Sequence, residues 1–166
     1  MFHKFSLIWS WFVWMITRII PDFPLSMRFR GWLYSFGMHS SGKNFQVASS
    51  CRLISMDTLR VGENVYFASN VIVNGGGKIN IANEVMIGIG CVIVSGNHTI
   101  SDGSYRWGAR RESPITIGSG SWLGANTVLV AGSVVPESTL IAAGAVVTNV
   151  LIQPGVYGGV PARLLK

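Results

Sequence analysis

Charge is scarce in this chain. Of 166 residues, Asp and Glu supply 7 and Lys and Arg 13, so charged side chains make up 12% of the total, against 49% apolar. That balance excludes disorder and suggests that something other than water covers part of the surface. Only two cysteines occur, Cys51 and Cys91. They are too few for a disulfide framework, and both lie inside apolar patterning, where a free thiol behaves as a small hydrophobe; a reducing cytoplasm is the expected compartment. The histidines are also few and widely separated, at His3, His39 and His98, which argues against a zinc centre, and no metal is expected. The net charge of +6 comes without zinc-finger spacing, a basic helix or an RNA-binding aromatic motif, so nucleic acid is not an expected partner. An anionic membrane and phosphate-bearing small molecules remain open.

A membrane-spanning run is lacking too. "FSLIWSWFVWMITRII", Phe5 to Ile20, falls short of the roughly 20 apolar residues a spanning helix needs. Lys4 gives a weak positive start, but only "RIIPDFP" follows and no small-residue cleavage site, which reads against a signal peptide. An interfacial helix fits better, with Trp9, Trp11 and Trp14 at headgroup depth and Lys4, Arg18, Arg28 and Arg30 near anionic lipid. A helix packed on the main domain or on a neighbouring subunit is the alternative. The length suits one domain with an appendage: an apolar, helical segment over residues 1–40 and a domain over 41–166.

What the chain has in abundance is a repeat. From Ile117 it reads "IGSGSW LGANTV LVAGSV VPESTL IAAGAV VTNVLI". Ile117, Leu123, Leu129, Val135, Ile141 and Val147 hold the first position of each hexad; Ser121, Thr127, Ser133, Thr139 and Ala145 hold the small fifth one. A period of six matches neither a helix at 3.6 nor one long strand at 2. It matches a solenoid with three short flat sides per turn, the aliphatic residue pointing inward and the small one filling the space near a corner.

The same phase runs upstream through Val47 and Leu53, then Val61, Phe67 and Val73, then Ile81, Ile87 and Ile93. It slips by two residues after Leu53 and again after Val73, one three-sided turn apart, so both slips fall on one edge of the prism. The third irregularity lies between Ile93 and Ile117, 24 positions apart where 6 suffice, and it follows after the same number of sides. Continuing the phase through it would bury Arg111 unpaired, at a cost of several kcal/mol. A protruding loop over 96–114 is therefore expected, on about five coils, with a C-terminal cap over 154–166. His98 stands almost at the start of that loop.

The motifs "PITIGSGSWLGANTVLVAGSVV", "AAGAVVTN" and "GGVPARLLK" resemble those of the hexapeptide-repeat acetyltransferases, in their galactoside, maltose and polysaccharide O-acetyltransferase branch, across roughly residues 59–166. The resemblance implies an all-β, left-handed parallel β-helix and a homotrimer with active sites between subunits. In that branch a loop histidine precedes the proline of "PITIG" by sixteen residues, the spacing of His98 and Pro114. It implies His98 as general base, passing a sugar hydroxyl's proton during direct acetyl transfer from acetyl-CoA. Asp102, Asn97 or a backbone carbonyl would orient the ring.

By the same likeness the Ala125 N–H faces the thioester, Ala143 meets the pantetheine arm, and Trp122 walls the acceptor or cofactor site, though a plain trimer contact would also explain Trp122. Thr148, Arg163 and Lys166 lie toward the coenzyme A phosphates, with Asn149 standing where the family often has lysine. Arg106, Arg110 and Arg111 could assist there or read an anionic acceptor; solvated loop charge is the alternative. Ala68 replaces an asparagine that binds acceptor sugar in the galactoside branch, leaving Asn70 as the nearest polar substitute. Together with the apolar N-terminus, this implies a sugar acceptor of surface polysaccharide or lipopolysaccharide synthesis, on a lipid carrier at the inner face of the cytoplasmic membrane. An amino-sugar N-acetyltransferase and a non-enzymatic solenoid scaffold are the competing functions.

Overall fold

The computed structural model describes residues 1–166. Two helices, α1 (Phe2–Thr17) and α2 (Pro24–Ser35), precede a stack of short strands that share three parallel sheets. The first face stacks Ser40–Ser41, Leu59–Val61, Ile79–Ile81, Ile115–Ile117 and Val134–Val135. The second runs from Gln46–Val47 through Tyr66–Phe67, Met86–Ile87, Trp122–Leu123 and Leu140–Ile141 to Val156–Gly158. The third runs from Arg52–Ile54 through Ile72–Asn74, Val92–Val94 and Val128–Leu129 to Val146–Val147. Five coils are complete and a sixth is partial. The segment Val156–Gly158 then turns back antiparallel into Arg163–Leu164, which forms the expected cap and gives the last second-face strand a partner.

Every aliphatic residue in phase with the hexad is buried, from Val47 to Val147. The fifth positions are buried as well, and there the polar atoms close the corners. Thr127 Oγ1 donates to the Gly124 carbonyl at 2.8 Å, and Ser133 Oγ to those of Val130 and Val147 at 2.6 and 2.7 Å. The cysteines occupy the same position in earlier coils: Cys51 Sγ reaches the Ala68 oxygen at 3.0 Å and Cys91 Sγ that of Gly124 at 3.0 Å. A small donor adds a hydrogen bond to the carbonyls at the bend, using their second lone pair.

All three irregularities leave the prism between its third and first faces. The first is a 3-10 turn, Met56–Thr58, the second the glycines 75–77, and the third the arm. Ile79–Ile81 pairs directly with Ile115–Ile117, so the arm is extruded without interrupting the stack.

The helices are attached in an unusual sense. The residues α1 buries are Ser6, Ser10, Val13 and Thr17, spaced three and four apart as one face of a helix requires. Its large side chains, including Phe5, Ile8, Trp11, Met15 and Ile16, are exposed. Small residues let the helix approach closely and leave its apolar bulk outside. Trp9 and Trp14 do not share that exposure: Trp9 Nε1 donates to the Leu33 carbonyl at 2.7 Å, and Trp14 lies under the guanidiniums of Arg18 and Arg52. Only Trp11 of the three is free for headgroup depth.

Arg30, expected near lipid, is instead 1% exposed. Its guanidinium meets Asp22 Oδ1 at 3.1 Å, Thr17 Oγ1 at 3.2 Å, the Ile20 carbonyl at 3.1 Å and the Val47 carbonyl. Five donors in a fixed fork tie both helices to the first coil.

Candidate active site

His98 lies on the first strand of an antiparallel pair, Gly96–His98 with Arg110–Glu112, that forms the root of the arm. Ser95, fully buried just before it, pins that root. Its hydroxyl accepts from the Gly76 and Gly77 N–H groups at 3.1 and 2.9 Å and donates to the Gly77 carbonyl at 3.1 Å. On the return strand Ser113 N–H donates to the Ser95 carbonyl at 3.0 Å. Sequence reasoning passed over Ser95; a single small polar residue closing an aliphatic strand was its only mark.

Rigid at its base, the arm is open beyond it. His98, Asn97, Asp102, Arg106, Arg110 and Arg111 are all exposed. Asp102 adopts φ 49° in a turn and lies 3.5 Å from Ser101 Oγ; no hydrogen bond joins it or Asn97 to the His98 ring. Arg110 pairs with Glu112 at 3.2 Å, and Arg106 rests 5.3 Å from the Trp107 centroid.

Trp122 belongs to a different face. It points outward from the second sheet, 47% exposed, in register between Met86 and Leu140. Cavities flank it. One of about 350 Å³ is lined mainly by Tyr66, Ala68, Ser69, Met86, Ile89 and Ala125; another of about 300 Å³ by Gly124, Ala125, Leu140, Ala142 and Ala143. Small residues make this a narrow apolar trough along the edge between the second and third faces, a shape that fits a thin chain such as pantetheine. The Ala125 N–H finds no acceptor within the chain. Gly88, one coil below, keeps it uncovered: a Cβ there would lie 2.9 Å from Ala125 N and 2.6 Å from the Leu123 oxygen.

Neither trough cavity includes any residue of the arm. One chain thus carries the base candidate on one edge of the prism and the oxyanion-donor candidate on another, with the third face between them. At the C-terminal end, Asn149 and Arg163 share a third cavity of about 300 Å³. Thr148 and Lys166 are exposed nearby in the sequence but do not line it. Asn70 faces neither the arm nor the trough; it lines a separate basic cavity near α1.

The crystal structure of a hexapeptide-repeat acetyltransferase from Vibrio cholerae, complexed with acetyl-CoA, superposes with a TM-score of 0.85 at 21% identity, covering 98% of this chain and 87% of that one. The chain has the hexapeptide-repeat acetyltransferase fold. With it comes the left-handed winding of the hexapeptide-repeat prism. Among curated sequences, the galactoside O-acetyltransferase of Escherichia coli is 26% identical over 108 residues, 65% of this chain and 53% of that protein. A protein of the same organism named as a lipopolysaccharide biosynthesis O-acetyl transferase, WbbJ, is 27% identical over 168 aligned positions, gaps included, which cover 92% of this chain and 83% of that one. The chain spans about half the length of the galactoside enzyme. No protein-family profile matches it.

Proposed function

We propose that this protein transfers acetyl from acetyl-CoA directly to a hydroxyl of a sugar. The observation that carries the reading is the pairing of an outward, unpaired Ala125 N–H beside the Trp122 trough with a single exposed histidine on a rigidly rooted arm. The trough would hold the pantetheine and acetyl group. Donation from Ala125 N–H to the thioester oxygen becomes stronger as negative charge develops there, which favours the transition state over the ground state. His98 accepts the proton of the attacking hydroxyl and returns it to the departing thiolate. Arg163, beside Asn149, is the residue best placed for a coenzyme A phosphate.

Because His98 and Ala125 occupy different edges, the site is assembled between chains, with the arm of one subunit laid over the trough of the next. A closed homotrimer gives every arm a trough and every trough an arm. Surface polysaccharide or lipopolysaccharide is the proposed destination of the acetyl group, supported by the likeness to WbbJ over most of both chains. No helix is long and apolar enough to cross a membrane. The exposed Ile8, Trp11, Met15 and Ile19, with Lys4, Arg18 and Arg28 also exposed, support a peripheral seat on the inner face of the cytoplasmic membrane, where lipid-linked sugars are held.

Acetyl transfer to a panel of saccharides, with His98→Ala as the control, tests the reading. The variant should lose about 100-fold or more in turnover while still binding acetyl-CoA. Undiminished turnover would remove His98 from the chemistry, and no heat from acetyl-CoA in calorimetry would favour a scaffold instead.

A further inference from the structure

Away from the trough, two arginines converge on one tryptophan. The guanidinium carbon of Arg18, just beyond the end of α1, lies 4.5 Å from the Trp14 ring centroid, and that of Arg52, on the first coil, lies 4.2 Å from it. Neither has a carboxylate within 4.0 Å, since the ion pairs of the chain are His3–Asp57, Arg30–Asp22 and Arg110–Glu112. A cavity of about 320 Å³ opens beside them, lined by Trp14, Arg18, Ser49, Ser50, Arg52 and Asn70.

The chemistry of this wall is one-sided. Asp22, the carboxylate closest in the hydrogen-bond network, is already occupied: it accepts from Arg30, from the Ser49 N–H at 2.8 Å and from Ser49 Oγ at 3.1 Å. Ser50 Oγ accepts from the Asn70 N–H at 2.9 Å, which leaves its own proton free to donate. The cavity therefore presents two fixed cations and a spare hydroxyl donor, with no anion of its own to relieve the repulsion between the guanidiniums. Planar guanidiniums held against an aromatic face are suited to phosphate oxygens.

We propose that this cavity is a phosphate site, and that it seats the phosphate or diphosphate of the acceptor. The second clause rests on the acetyl-transfer reading; the first does not. Asn70 directly follows Ser69, which lines the Trp122 cavity, so the two separate cavities border neighbouring residues of one bend. Ser50, Asn70 and Ala125 share one edge of the prism, in the first, second and fourth coils. At about 4.8 Å per coil, a bound phosphate would lie about 10–14 Å from the Ala125 N–H, leaving room for a short saccharide between anchor and acetyl group. Trp14 and Arg18 also belong to the helical segment whose outer side exposes Trp11, Met15 and Ile19, so a lipid tail attached to that phosphate has an apolar path away from the site. A lipid headgroup and a soluble diphosphate offer the same oxygens.

The test is calorimetric titration of inorganic pyrophosphate into the full chain saturated with coenzyme A, which fills the phosphate contacts the cofactor itself uses. Wild type should bind, and Arg18→Gln and Arg52→Gln should each weaken binding by about tenfold or more, with melting temperature and acetyl-CoA binding retained; Arg60→Gln on the first face should bind as wild type. Flotation with phosphatidylcholine vesicles, with and without phosphatidylglycerol, separates the sources. Loss of anionic-vesicle binding in the same variants assigns the headgroup, and its retention assigns a soluble diphosphate; both support the site. No heat from wild type, or equal affinity in Arg18→Gln and Arg52→Gln, overturns it. Acetyl transfer measured on the same preparations keeps the two readings apart: intact transfer without pyrophosphate binding removes the phosphate site alone.

Discussion

His98 stands directly opposite Arg110 in the antiparallel ladder at the root of the arm, and Arg110 in turn meets Glu112 at 3.2 Å. The ladder fixes the backbone of the base, and the Arg110–Glu112 pair lies over Gly76 on the coil below. A Cβ at Gly76 would run into both side chains. Those side-chain ends can swing aside, whereas Gly108 abuts the backbone of Thr99, the residue after His98, so Gly108→Val should displace the strand that carries the base and lower kcat by about 10- to 100-fold, with KM for acetyl-CoA unchanged because the trough is untouched. Steady-state kinetics checks this; an unchanged kcat would show that arm placement does not govern the chemistry.

The attachment of the helices rests on one guanidinium. Arg30→Met takes from Asp22 its cationic partner and strands the buried Val47 carbonyl and the half-buried Ile20 carbonyl that Arg30 now serves. Loss of about 3 kcal/mol of stability is expected, read from denaturant midpoints. A loss below ~0.5 kcal/mol would mean that the helices are held by apolar contact instead.

The prism was legible in the sequence because each hexad states its own inward residue, and no tertiary contact can move an aliphatic at that position outward without emptying the core. The slips were legible as well: counting sides put Met56–Thr58, Gly75–Gly77 and the arm on one edge, where they are found. The helical segment was less so. Helices usually bury their large apolar residues, but α1 buries Ser6, Ser10, Val13 and Thr17, so the sequence did not mark that Trp9 and Trp14 pack inward while Trp11 stays out, and it placed Arg30 at a surface it does not reach. The Trp14 cavity was hidden for a related reason, since Arg18 and Arg52 are 34 positions apart and only the packing of the segment on the first coil brings them to one ring.

Alkaline stability follows from the buried thiols. Burial pushes the Cys51 thiol up to about 12 from an ordinary value near 9.0, and raises that of Cys91 as well. The folded state keeps protons that the unfolded chain releases, so their contribution is complete below about pH 9 and is lost as pH climbs toward 12. Urea midpoints should fall across that window, and Cys51→Ala should fall less steeply. At pH 8 both thiols should resist alkylation until the chain unfolds; rapid labelling of native protein would contradict the burial.

Subunit complementation tests the central claim most directly. His98→Ala removes the base and leaves the trough; Ala143→Trp fills the exposed trough and leaves the base. Each variant alone should be inactive. Unfolded together in equal amounts and refolded, they should recover about one quarter of wild-type turnover, because random mixing around a closed ring completes one boundary in four. No recovery from a mixture shown by light scattering to contain mixed oligomers would contradict a site shared between the arm of one chain and the trough of the next.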